Sequence, residues 1–225
     1  RTGEMIVKLY RQEVNPHVDL LIDGSRSMDL ADTAKAQATL GLAAAMASAA
    51  RNAGFGHAAW LGREGWHKVL NSDQPPIMWA DIALDDRRSL AEATAQAPPT
   101  LPAQSMRIII SDLLWLGDPV AFLAHIAQGA ADVTIIQLLA RADVDPPARG
   151  SARLIDCETD EHLEVFIDAA AQRRYTDALA RHQDNWSRAA QQVGARMVTL
   201  VAEDVVADWQ LTELVATGLL KVGNA

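Results

Sequence analysis

Apolar residues along this chain fall into two rhythms. Largely apolar runs stand at Val18–Ile22 (broken by Asp19), Met106–Ile110 (broken by Arg107) and Val133–Leu139 (broken by Thr134 and Gln137). Runs of this length without polar alternation read as strands covered on both faces of a sheet. Between them the spacing turns helical. Ala31–Asn52 predicts a helix closed by Gly54, with Asp29 or Asp32 as its cap. Ser89–Ala97 predicts a second helix capped by Ser89, and Asp118-Pro119 opens a third through about Gln128, with proline in its first turn. Gly56–Gly62 and Trp66–Leu70 read as a hairpin around Arg63-Glu64-Gly65, and Asn71–Arg88 as a loop. Strands alternating with helices imply right-handed crossovers and a mostly parallel sheet.

The pattern changes after a break at Pro146-Pro147 and Gly150. Ala152–Cys157 and His162–Ile167 predict a second hairpin around Thr159-Asp160. A long helix over about Asp168 to Gln192 follows, then a strand at Met197–Ala202 and a last helix at Ala207–Leu220. The expected architecture is one α/β domain over residues 1–225, doubly wound around a mostly parallel sheet. Its core spans about 16–140, with a hairpin, long helix, strand and helix at about 150–225 packed on it as an extension.

Composition narrows the class. At 225 residues the chain is long enough for one large domain, and with 49% hydrophobic and 22% charged residues it is globular. A formal net charge of -9 argues against nucleic acid or an anionic membrane as the main partner. The single Cys157 excludes an internal disulfide and suits a reducing, cytoplasmic setting. No apolar run reaches the ~20 residues of a membrane span, and no signal-peptide pattern is present. The chain begins at Arg1 without an initiator Met, which leaves room for natural residues before it.

The chemistry concentrates in Asp23-Gly24-Ser25-Arg26-Ser27-Met28, directly after the first buried run. In an extended loop alternate side chains point the same way, so one carboxylate and two hydroxyls converge at a strand end. Hard oxygens with little charge suit Mg²⁺, with Mn²⁺ or Ca²⁺ as substitutes. Asp and Ser are equally ordinary turn residues. A second acid changes the balance. Ser111-Asp112 ends the run at Ile110, and ligands of parallel sheets bind outside the carboxyl ends of strands. If those two strands are neighbours, Asp23 and Asp112 repel each other unless a cation lies between them. Ser89 adds a hydroxyl from a third loop and equally fits a plain helix cap.

Together these motifs resemble the metal-ion-dependent adhesion site of von Willebrand factor A domains. They are most similar to the bacterial branch catalogued as domain of unknown function fifty-eight. The resemblance also includes Leu9-Tyr10-Arg11, Ile109-Ile110-Ser111-Asp112-Leu113, Leu154-Ile155-Asp156, Arg174-Tyr175 and His182. It implies Asp23, Ser25, Ser27 and Asp112 as metal ligands, with Ser89 where the family usually has Thr; Thr94 is the alternative. It implies a Rossmann-like fold and a non-enzymatic adaptor or co-chaperone paired with a MoxR-type AAA+ ATPase. No P-loop is present, so the chain does not supply that ATPase itself.

The residues give the same direction. Neutral hydroxyl ligands leave a divalent cation with residual positive charge, which favours an Asp or Glu from a partner protein. Arg26, Met28, Leu114 and Trp115 flank the loops and are the expected partner contacts; Trp115 equally fits packing over the next helix. The alternative is a Mg²⁺-dependent phosphoryl-transfer or hydrolytic enzyme with Asp23 as nucleophile. That reading lacks the second acid at position 25, where Ser stands, and neither Lys35 nor Lys68 fits the spacing of a charge clamp.

Overall fold

A computed structural model describes residues 16–145 and 148–221. Leu9-Tyr10-Arg11 and the Pro146-Pro147 break lie outside these residues. The elements run β1 (His17–Asp23), α1 (Lys35–Asn52), β2 (Gly56–Gly62), β3 (Trp66–Lys68), α2 (Leu90–Gln96), β4 (Met106–Ser111), α3 (Pro119–Ala127) and β5 (Asp132–Leu139). They continue with α4 (Arg141–Val144), β6 (Gly150–Ile155), β7 (His162–Ile167), α5 (Ala169–Gln192), β8 (Arg196–Val201), α6 (Ala202–Asp208) and α7 (Thr212–Ala216). Six strands form one sheet in the order β3-β2-β1-β4-β5-β8, parallel except for the antiparallel edge strand β3. The fold is the expected α/β class. The sixth strand comes from the region read as an extension, so the C-terminal part is woven into the sheet. Strands β6 and β7 form a separate two-stranded hairpin.

The pleat explains the largely apolar runs. Leu20, Ile22, Ile108, Ile110, Ile136 and Leu138 face one side, where the stripe Ala38, Leu42, Ala43 and Met46 of α1 covers them. Leu21, Ile109, Val133 and Ile135 face the other side, against Leu123 and Ile126 of α3 and Trp186 of α5. Both faces are therefore dry, as parallel sheets require. The one basic break, Arg107, is buried as well. Its guanidinium donates to the carbonyls of Ile126, of Gln128 at 2.9 Å and of Pro102 at 3.1 Å, closing the loop before β4 onto the end of α3.

Two expectations are corrected. The first long helix begins at Lys35, not Ala31, and neither Asp29 nor Asp32 caps it. The N-cap position is Ala34, whose amide donates to the Glu203 carboxylate of α6 at 3.2 Å. A 3-10 turn over Arg26–Asp29 precedes it, between β1 and α1. The last helix is also broken in two. Trp209 adopts a left-handed conformation (φ 53°) that ends α6, and its ring lies against Gly41 of α1. A Cβ on Gly41 would come within 1.9 Å of that ring, so the absent side chain is what lets Trp209 dock.

Candidate functional site

β1 and β4 are hydrogen-bonded neighbours with Ile22 opposite Ile110. This register puts Asp23 and the Ser111-Asp112 pair side by side at the carboxyl end of the sheet. Asp23 is buried, and its two oxygens accept from the Ser25 amide (2.9 Å) and the Ser111 hydroxyl (2.5 Å). The first bond folds the D-G-S loop back on itself as an Asx turn. Gly24 is required in that loop. Its amide donates to the Gly62 carbonyl of β2, and a Cβ there would stand 2.8 Å from the same oxygen.

Ser25 and Ser27 do point the same way: their hydroxyls share a hydrogen bond, with the oxygens 3.0 Å apart. Adjacent oxygens around octahedral Mg²⁺ are separated by about 3.0 Å, given Mg–O distances of about 2.1 Å. The pair therefore matches one edge of such a shell. Ser25, Ser27, Ser89 and Asp112 line one cavity of about 270 Å³; Asp23 is buried outside that lining and joins it through the Ser25 amide. Thr94 does not belong to it. Its hydroxyl donates to the Leu90 carbonyl and accepts from Trp66 inside α2, which removes it as the middle-loop candidate. Ser89 combines the two expected roles in position only. It lines the cavity, but it also forms a complete capping box with Glu92. Replacing Ser89 by Ala should cost about 1 kcal/mol of stability through the lost cap, measured by urea unfolding in chelator. A loss seen only when Mg²⁺ is present would instead mark the hydroxyl as a ligand alone.

The residue that sequence reasoning passed over is Lys35. It is fully buried at the first turn of α1 and donates to Asp112 (2.8 Å), Asp143 of α4 (2.9 Å) and the Ser27 carbonyl (3.1 Å). Burial alone would lower its pKa, but the two carboxylates outweigh that and hold it above the ordinary lysine value. Its position was readable: Lys35, Ala38, Thr39 and Leu42 share the i, i+3, i+4, i+7 spacing of the core-facing stripe. Burial, then the facing Asp112, push the Asp23 carboxyl up to about 6. Asp23, Asp112 and Asp143 against one ammonium leave two negative charges at full ionisation. That excess equals the charge of one divalent cation.

The donor set fits a hard cation. Each engaged carboxylate oxygen keeps a lone pair, and two neutral hydroxyls stand at ligand spacing. Among the described residues no group of three or more His, Cys, Asp or Glu side chains gathers at metal-ligating distance. Binding here would therefore rest on two acids and hydroxyls.

The expected contact residues separate. Leu114 is exposed at the cavity rim. Met28 is not a contact residue, because the 3-10 turn swings it fully into the core. Arg26 is engaged by the chain itself, donating to the Cys157 carbonyl and to Asp160 at the β6–β7 turn. Trp115 lies half-buried, edge-on to Trp186 (5.0 Å between ring centres) and Phe122 (5.7 Å), so it folds back over α3 while one side lines the cavity. His182, from the tail of the resemblance, reaches the Leu113 carbonyl at 2.6 Å and props the loop after Asp112.

Residues 1–185 match the family model "Protein of unknown function DUF58". The chain belongs to this family. Solved structures with a similar chain path include the conserved hypothetical protein BatB from Bacteroides thetaiotaomicron, 11% identical, covering 89% of this chain and 97% of its own at a TM-score of 0.44. An aerotolerance-related membrane protein from Bacteroides fragilis gives 11% identity, 89% and 98% coverage, and 0.44. At these scores and identities the likenesses add nothing to the functional reading of this DUF58 chain. No curated protein matches it. No described helix is long and apolar enough to cross a membrane.

Proposed function

We propose that this DUF58 chain is a non-enzymatic, divalent-cation-dependent protein-binding module of the von Willebrand factor A type. In this reading Asp23, Ser25, Ser27 and Asp112 hold Mg²⁺, with Ser89 at the third loop, and an Asp or Glu of a partner protein completes the shell. Mn²⁺ and Ca²⁺ suit the same oxygens. The observation that carries the reading is the Ser25–Ser27 oxygen spacing of 3.0 Å beside two acids on adjacent strands. The cation supplies residual positive charge for a carboxylate. The chain supplies the frame: Gly24 allows the loop its close approach to β2, Lys35 balances Asp112, and Leu114 offers apolar contact at the rim. A MoxR-type AAA+ ATPase as the machine served by such an adaptor rests on the family resemblance alone.

The enzymatic alternative fits the geometry less well. Asp23 is buried outside the cavity lining with both oxygens accepting hydrogen bonds, a poor posture for a nucleophile. Lys35, though close to Asp112, is locked between two carboxylates. The test is capture of partner proteins on the immobilised chain in Mg²⁺ and in excess chelator. A partner retained in Mg²⁺ and released by chelator is the expected outcome, and equal capture in both sinks the reading. Steady hydrolysis of a phosphate ester, abolished by Asp23→Asn, would favour the enzyme.

A further inference from the structure

Leu113, one residue after Asp112, is held in an unusual conformation. Its φ is 57°, the left-handed region that a bulky residue adopts only when its surroundings impose it. Here they do so from three directions. The Leu113 side chain is fully buried in the cluster that holds Leu123 and Trp186. Its amide donates to the Ser111 hydroxyl at 3.0 Å, and that hydroxyl donates to Asp23. Its carbonyl faces His182 Nε2 of α5 at 2.6 Å. Gln183, the next residue of α5, donates to the Gln137 side-chain oxygen at 3.3 Å, and the Gln137 amide donates to the Asp112 carbonyl at 3.1 Å. Two successive residues of one helix thus reach two successive carbonyls of the loop that carries Asp112.

The geometry also places a proton on His182. Trp186 aims its indole N–H at the same Nε2 from 3.1 Å. An indole nitrogen only donates and a carbonyl only accepts, so one ring nitrogen cannot satisfy both. A bare Nε2 would accept from Trp186 and leave its neighbour, the Leu113 oxygen, facing a lone pair across 2.6 Å. A protonated Nε2 turns that same contact into a short hydrogen bond. The loop carbonyl therefore holds the proton, and Trp186, itself buried, gives up this acceptor. An unmade bond to a buried donor lowers stability, and a fold that accepts such a loss in favour of a strained loop does so where a site is served.

We propose that His182 is a positioning residue for the cation site: through its Nε2–H it holds Leu113 in the left-handed conformation and so fixes where Asp112 points. The inference rests on the cation reading above and deepens it by naming a residue that sets the affinity. A return of Leu113 to ordinary backbone would turn the adjoining Asp112–Leu113 peptide, and the carboxylate would turn with it. His182 touches neither the cavity nor the cation in this reading; it acts through the backbone of the loop alone. Groups that orient a metal ligand in this way commonly change metal affinity by about 10–100-fold.

The experiment is Mg²⁺ titration by calorimetry on the wild-type chain, His182→Gln, His182→Leu and Asp23→Asn, together with nitrogen NMR of the His182 ring in the metal-free wild type. Gln sets an amide N–H near the place of the ring Nε2, whereas Leu fills similar volume without a donor. The expected result is that His182→Leu binds Mg²⁺ about 10–100-fold more weakly while His182→Gln stays within about threefold of the wild type. The ring spectrum should show Nε2 protonated, a reading that needs no substitution and so survives a variant that fails to fold. A bare Nε2, an unchanged affinity in His182→Leu, or His182→Gln as weak as His182→Leu overturns the role of His182 while leaving the cation site standing. No Mg²⁺ binding by the wild type, or binding untouched by Asp23→Asn, overturns the site and with it this inference.

Discussion

Replacing Lys35 by Met should be the most damaging single change at the carboxyl end of the sheet. The expected loss is about 3–5 kcal/mol in chelator, the usual cost of breaking a buried ion pair from one side. The reason lies in what remains. Asp112 and Asp143 would keep their burial and lose the ammonium that each touches within 3 Å. Met fills much of the volume, so the loss reads charge rather than a cavity. Adding Asp112→Asn to the same chain removes one orphaned charge and should restore part of the stability. Urea unfolding of the wild type, the single and the double variant measures both steps. A loss below about 1 kcal/mol, or a double variant no better than the single, would mean the ammonium is not what balances these acids. The same pair limits a simpler experiment: Asp112→Ala would strip Lys35 of one partner, so lost binding in that variant is confounded with a weakened fold.

Asp23→Asn is the cleaner probe of the cation and should weaken Mg²⁺ binding by at least about 100-fold, since a first ligand counts for more than its supporting partners. It also carries a pH signature. The folded carboxyl titrates near 6, above its ordinary value of 3.8, so the folded state holds this proton more tightly than the unfolded chain. For this group metal-free stability therefore rises as pH falls from about 6 towards 4, and it is lowest above 6 where the acid is ionised. Mg²⁺ affinity runs the opposite way. It should be flat above pH 6 and fall about tenfold per unit below it, as protons compete for the ligand. In Asp23→Asn both trends of this group should vanish. Calorimetry at pH 7 and pH 5 checks the affinity, and urea unfolding in chelator checks the stability. A wild-type affinity unchanged between those pH values would remove Asp23 from the shell.

How far the chain could be read depended on whether a signal was local. The buried runs at Val18–Ile22 and Met106–Ile110 declare themselves, because a doubly covered strand needs apolar residues on both faces, and each run has a single polar break. With both placed, the parallel rule put Asp23 and Asp112 at one edge, and the register bears that out. Ser89 as a cap followed from its neighbours alone. The failures came from three-dimensional context. Met28 looked like a loop residue available to a partner, and a 3-10 turn sends it inward. Arg26 looked free, but its acceptors lie on a hairpin more than 130 positions later. Trp209 stops a helix that composition would have continued, because a glycine in another helix leaves room for its ring. Lys35 is the instructive case. Its place on the core-facing stripe was visible, while the acids that make burial tolerable come from β4 and α4, which no local pattern joins.

The position of β8 has a consequence for where this chain can be divided. The family match ends at residue 185, but residues 196–201 supply the strand that pairs with Thr134–Leu139 of β5. A chain cut at the family boundary would keep every residue of the cation site and end inside α5. It would leave β5, apolar from Val133 to Leu139 apart from Thr134 and Gln137, as a bare outer edge. Long, flat, apolar edges invite pairing with other chains. Residues 196–201 thus cover the apolar edge of β5 and put β8, which carries Arg196 and Thr199, on the outside in its place, a task separate from anything the loops at the far end of the sheet bind.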